Sequence, residues 1–221
     1  MKTKNIKAII FDLDGTLVNS LEDIADSANQ AITQRGAPSH EVEAYRYFVG
    51  DGLAMLMERA MPDGSSQSAL QESIEAFRSI YNNRWSNKTR PYSGIVDMLE
   101  RIQQSGVNMA VLSNKPDNFT QKCVNLFFPK INFNAVAGKK DDTPSKPDPL
   151  STLKMLDILE VHPAQSVFVG DSSVDIETGV RAGMHTIGVD WGFRTKTELE
   201  EAGADLVIGS PQELIHYVSK H

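Results

Sequence analysis

The sequence predicts an α/β fold: a doubly wound, mostly parallel sheet with a small helical domain inserted after the first strand. Three observations carry this. Short apolar runs rich in β-branched residues recur along the chain. Helical patterns lie between them. One long segment, residues 17–91, breaks the alternation and holds helical patterns alone.

The apolar runs are 6–11, 107–112, 133–136, 167–169, 186–189 and 206–208, each flanked by Gly, Asp or Ser. Runs of this length without polar alternation suit strands buried on both faces of a parallel sheet. Between them, Ile95, Met98, Leu99 and Ile102 share one helical face, and Gly106 follows as a stop signal. Leu150, Leu153 and Leu156 predict a second amphipathic helix, and residues 213–218 a short terminal one after Pro211. Such alternation predicts right-handed crossovers. In the 17–91 segment, Ile24, Ala28, Ala31 and Ile32 make one stripe, and Leu70, Ile74, Phe77 and Tyr81 another. No strand is expected there. The expected domains are therefore 1–16 with 92–221 as a catalytic core, and 17–91 as a helical cap.

Composition narrows the function. The 221 residues carry a formal charge of −7, so the summed field repels nucleic acid and anionic membranes. No stretch is long enough to cross a bilayer. The basic start at residues 1–4 precedes an apolar run too short for a signal peptide and cut by Asp12 and Asp14. A single cysteine, Cys123, excludes an internal disulfide and fits a cytoplasmic location; it is expected to be buried filler. The five histidines are scattered without metal-type spacing. Monomer and dimer are both open.

The chemistry-bearing residues gather at predicted strand ends, where α/β sheets place their sites. Asp12 and Asp14 close the first run, with Gly15 permitting a sharp exit. Ser113 and Asn114 close the second. Gly170, Asp171 and Asp175 follow the run 167–169, and Lys146 sits between Ser145 and Pro147 in a rigid loop. Alone, Asp12 and Asp14 read equally well as a polar turn. Together, carboxylates, a hydroxyl and an ammonium suit a phosphate ester and a divalent cation. The cation offsets repulsion between anionic nucleophile and phosphoryl group, and the ammonium and hydroxyl bind phosphoryl oxygens. A carboxylate nucleophile divides the transfer into two easier steps.

These residues resemble the four motifs of the haloacid-dehalogenase-like phosphatase superfamily: Asp12-x-Asp14-x-Thr16, then Ser113, then Lys146, then Gly170-Asp171-x(3)-Asp175. The resemblance implies Mg²⁺ as cofactor, with Asp12, Asp14 (by its carbonyl), Asp171 and Asp175 in or supporting its shell. It implies Asp12 as nucleophile and Asp14 as general acid/base. Ser113, Asn114 and Lys146 would bind substrate, and Thr16 would join them or orient the first loop. The insert matches the superfamily's small helical cap, which implies a small phosphorylated metabolite as substrate. Several strings are similar to those of phosphoglycolate phosphatases: residues 15–18, 49–52, 113–116, 182–184 and 191–193. Asn19, and the string Gly138-Lys139-Lys140-Asp141-Asp142, depart from the usual pattern. Other expectations consistent with the resemblance are a sugar-phosphate or pyrophosphate hydrolase, a phosphomutase like β-phosphoglucomutase, or a non-catalytic phospho-ligand binder. A dehalogenase has no use for Asp14 and the metal acids.

Some residues allow two readings. Ser113 either caps the next helix or binds phosphate, or does both. Lys115 is a surface lysine or a second phosphate contact. Residues 50–52 are a turn or a set of amides for the substrate's far end. Arg46 is a helix-surface residue or a receptor for a substrate carboxylate. Trp191 packs in the core or near the site rim.

Overall fold

The computed structural model describes residues 6–220. The basic start at 1–4, the outer ends of the expected core domain and His221 lie outside the described residues.

Six parallel strands form the sheet: β1 (Ala8–Phe11), β4 (Asn108–Pro116), β5 (Ala135–Lys139), β6 (Ser166–Gly170), β7 (His185–Val189) and β8 (Leu206–Ile208). Their order is β5-β4-β1-β6-β7-β8, and each expected run overlaps a strand, although β5 starts two residues later than expected and β4 runs on through Ser113 and Asn114 to Pro116. β1 is wholly buried and lies between β4 and β6, with Ile10 opposite both Ala110 and Phe168. The chain builds one side of β1 and then crosses to the other, which makes the β1 edge the switch point of the sheet.

Strand residues alternate between two apolar layers, as the pleat requires. Ile9, Phe11, Met109, Val111, Val167 and Val169 face α5 (Ile95–Ser105), α6 (Asp117–Phe127) and α10 (Pro211–Lys220). Ala8, Ile10, Ala110, Leu112 and Phe168 face α7 (Leu150–Leu159) and the end of α8 (Ser173–Arg181). Each large apolar side chain buried here contributes about 1.5–3 kcal/mol. α5 ends on Gly106 in the left-handed region, as expected. In α7 the buried stripe is Thr152, Met155, Leu156 and Leu159, whereas Leu150 and Leu153 are exposed. The expected stripe is corrected, with only its Leu156 buried: steps of three and four (152 to 155 and 156, each then to 159) keep a face inward, whereas repeated steps of three drift off it. α9 (Lys196–Glu201) precedes β8.

The segment after β1 holds α1 (Leu21–Thr33), α2 (Tyr45–Phe48), α3 (Leu53–Ala60) and α4 (Gln67–Asn82). Ile24, Ala28, Ala31 and Ile32 pack with Leu56, Met57, Ile74, Phe77 and Tyr81 in one cluster. Phe119 and Phe193 from the sheet side join that cluster, so the interface between the layers is apolar. The segment is not free of strand. β2 (Val18–Asn19) and β3 (Arg90–Pro91) form a two-residue antiparallel ribbon where the chain leaves and re-enters the sheet domain. Asp23 braces it from α1, accepting from the backbone N–H groups of Lys88 and Thr89.

Candidate active site

The site is built where β1, β4 and β6 end. Asp12 follows β1, Asp171 follows β6, and Asp175 lies in the first turn of α8. Oxygen atoms of these three buried carboxylates lie within 4.8 Å of one another. Two glycines make the approach possible. A Cβ on Gly15 would stand 2.1 Å from Asp171 Oδ2, and Gly15 has φ +88°; a Cβ on Gly192 would stand 2.3 Å from Asp171 Cβ.

Each carboxylate is held. Asp171 accepts from the Thr16 hydroxyl at 3.2 Å and from the Phe193 N–H at 2.7 Å. Asp175 accepts from the Ser172 hydroxyl and N–H, closing a capping box on α8. Lys146 reaches in from its loop, donating to Asp12 at 2.8 Å and Asp175 at 2.6 Å. Three carboxylates face one ammonium, an excess of two negative charges if all are ionised. Burial, with Asp175 and Asp14 nearby, pushes the Asp12 carboxyl up to about 7 against the opposing pull of Lys146. Burial and the neighbouring Asp175 and Asp12 likewise raise Asp171 well above the usual carboxylate range. For Lys146, burial alone would lower the pKa, but Asp12 and Asp175 outweigh it and hold the ammonium charged.

A cavity opens above these groups and under the helical layer. The predicted residues Asp12, Asp14, Ser113, Asn114, Lys146, Asp171 and Asp175 all line it. Thr16 does not; its hydroxyl is spent on Asp171, and its carbonyl accepts from the Trp191 indole at 3.1 Å. Thr16 thus braces the acid cluster and lies outside the cavity lining. The Asp14 carboxylate stands apart from the three-acid group, held by the Ser20 hydroxyl at 2.6 Å and the Lys115 ammonium at 3.0 Å. Asn114 ties loops together: its amide donates to the carbonyls of Gly50 and Lys146, and its oxygen accepts the Lys146 N–H. Ser113 does not cap α6, which begins at Asp117; its oxygen accepts from the Lys115 N–H.

Several ambiguous residues resolve. Lys115 is not a surface lysine. It is buried on Asp14 and on the hydroxyl of Tyr81 from α4, at 2.7 Å. Burial opposes its charge, and Asp14 and Tyr81 restore it. Arg46 is taken up by Glu43 and the Gly192 carbonyl and does not line the cavity. Asp51 points to Arg59, at 2.6 Å. Cys123 is buried, its thiol pushed up to about 12, as filler requires. No histidine joins the acid group among the described residues. Among the cavity residues that sequence reasoning missed are Tyr81 and Arg194. Arg194 stands next to the string 191–193, and a charge adjoining a strand-end string was its only signal.

The family model for haloacid dehalogenase-like hydrolases matches residues 9–189. The chain belongs to the haloacid dehalogenase-like hydrolases. It is 30% identical to a phosphoglycolate phosphatase of Psychrobacter arcticus, over 96% of this chain and 95% of the relative. It is also 30% identical to one from Aquifex aeolicus, over 98% of each. A crystal structure from Lactobacillus delbrueckii subsp. bulgaricus, of a protein provisionally named phosphoglycolate phosphatase, superposes with a TM-score of 0.90 at 29% identity. That match covers 97% of this chain and 98% of the other. The family and the α/β fold are as the motifs imply, and the expected class, a phosphatase, agrees with these relatives. This hydrolase has no helix, among the described residues, long and apolar enough to cross a membrane.

Proposed function

We propose that this hydrolase is a Mg²⁺-dependent phosphomonoesterase acting through an aspartyl-phosphate on a small metabolite, with 2-phosphoglycolate as its substrate. The observation that carries the reading is the meeting of Asp12, Asp171 and Asp175 around Lys146 under a roofed cavity. The relatives' names support the choice of substrate, and the lone buried Cys123 is consistent with a cytoplasmic enzyme.

The donor set fits a hard divalent cation: three oxygen ligands, two excess negative charges, and carboxyls driven toward protonation without a cation. Asp12, Asp171 and Asp175 would hold it, with the Asp14 carbonyl. When bound, Mg²⁺ supplies charge neutralisation between the nucleophile and the phosphoryl oxygens.

The protein's own groups do the rest. Lys146 and Ser113 hold phosphoryl oxygens in place. An oxygen of Asp12 forms a bond to phosphorus while the bond to the ester oxygen breaks, and Asp14, as general acid, delivers a proton to that oxygen. Asp14, now a carboxylate, takes a proton from water as the water oxygen attacks phosphorus. The Asp12–phosphorus bond breaks, and inorganic phosphate leaves. The helical layer (residues 17–91) acts as a cap excluding bulk water during the first step.

The test is a panel of small phosphate esters with Mg²⁺, assayed for inorganic phosphate. Phosphate release is expected for the parent and at least about 10³-fold less for Asp12→Asn. Folded protein releasing no phosphate from any ester would sink the reading, and phosphoryl transfer without net phosphate would mark a mutase instead.

A further inference from the structure

The cavity holds three cations, and they differ in what they face. Lys146 is committed to Asp12 and Asp175, and Lys115 to Asp14 and Tyr81. Arg194 is not committed in this way. Its guanidinium donates to two backbone carbonyls, those of Arg46 and Val49, and lies over the Tyr47 ring with its carbon 5.0 Å from the centroid. These partners carry no formal charge. Among the described residues, Arg194 makes no ion pair with a carboxylate. A guanidinium has five N–H donors, and two carbonyls leave most of them unused.

Its position is suited to the far end of a short substrate. Phe193 donates its N–H to Asp171, so Arg194 follows directly on a residue anchored to the acid cluster. On the other side lies Gly50. Its carbonyl accepts from Asn114 beside Ser113, and a Cβ on it would stand 3.9 Å from Arg194 Nη2. One glycine therefore separates the phosphate-side strand end from the guanidinium. Much of the rest of the cavity lining is apolar: Ile24, Val49, Leu53, Leu56, Phe77 and Phe193. The one side-chain hydroxyl lining it from the helical layer, on Tyr81, is taken by Lys115. A polyhydroxylated leaving group would leave its hydroxyls unpaired there, at a cost. An anion would meet a half-buried guanidinium that is hydrogen-bonded only to carbonyls, where charge-assisted hydrogen bonds are strong.

We propose that Arg194 is a specificity-determining residue, and that it selects small phosphomonoesters whose leaving group carries a carboxylate. This rests on the phosphatase reading above and replaces Arg46 as the carboxylate receptor.

The experiment compares kcat/KM for 2-phosphoglycolate and for 2-hydroxyethyl phosphate, a counterpart of equal length whose leaving group is uncharged, with Mg²⁺ present. The parent should favour 2-phosphoglycolate. Arg194→Met should lower kcat/KM on 2-phosphoglycolate by about tenfold or more, and on 2-hydroxyethyl phosphate by less than about threefold. Arg194→Lys should keep part of the preference. Equal losses on the two esters would mean that Arg194 only holds the two layers together, and would overturn the proposal; so would a parent without preference. If Arg194→Met does not fold, the parent's preference and the Lys variant still decide. A parent that hydrolyses neither ester, nor any other in the panel, refutes the phosphatase reading itself; a parent active on the neutral ester but indifferent to the carboxylate refutes only the role of Arg194.

Discussion

Asp12 is where the local electrostatics are most exposed to measurement. Its carboxyl sits at about 7 against an ordinary 3.8, chiefly because it is buried beside other acids. An acid with a raised folded-state pKa binds a proton in the native state that the unfolded chain has released. Its contribution to stability is therefore full below about pH 4 and is lost as pH rises toward 7. Without metal, Asp12→Asn removes that loss. The variant should be more stable than the parent by about 1–3 kcal/mol at pH 8, and the gap should close toward pH 4. Urea unfolding in a chelator at both pH values checks this; a gap independent of pH, or a destabilised variant at pH 8, contradicts it. The same residue makes the functional argument sharper. Excess buried negative charge of this kind is what a bound cation would offset, in keeping with the proposed metal site.

The loops between elements decide whether the acids can meet at all. Gly15 leaves β1 with a positive φ and passes so close to Asp171 that a methyl group would overlap its carboxylate. Gly15→Ala should therefore displace Asp171 and strain the backbone, costing about 1–3 kcal/mol and most of the Mg²⁺ affinity. Isothermal titration with Mg²⁺ distinguishes this from a neutral change, since unaltered affinity would show that Asp171 tolerates the shift. At this scale the sequence was readable where structure is local. The six strands follow from short apolar runs, the acids and Ser113 from their place at run ends, and Lys146 from its proline-bounded loop. What pairs across long separations was not readable. The β2–β3 ribbon joins two-residue strands some seventy positions apart, too short to carry any period. Lys115 has a sequence context equally suited to solvent. Only the return of α4 over the sheet gives it Tyr81 and buries it on Asp14. Arg194 gains its place in the cavity in the same way, from the carbonyls of α2 and the turn after it.

Across the whole molecule, the site lies between two layers that share one apolar cluster. Phe119 and Phe193 from the sheet side pack among Ile24, Leu56, Phe77 and Tyr81, so the helical layer and the sheet are expected to unfold together. A ligand that binds only the native state then stabilises the whole chain by RT ln(1 + [L]/Kd), about 2.7 kcal/mol at a hundredfold excess over Kd. For a chain of this size each kcal/mol raises Tm by roughly 2–4 °C, so saturating Mg²⁺ should raise Tm by roughly 5–10 °C. Calorimetry with Mg²⁺ and with chelator reads the shift directly, as a single transition that moves intact. Asp171→Asn should keep the transition and lose most of the shift, because it removes a ligand but leaves both layers packed. A Mg²⁺ shift equally large in Asp171→Asn would place the cation elsewhere. Two transitions, only one of them moving, would show that the helical layer melts independently and that the shared phenylalanines do not bind it to the site.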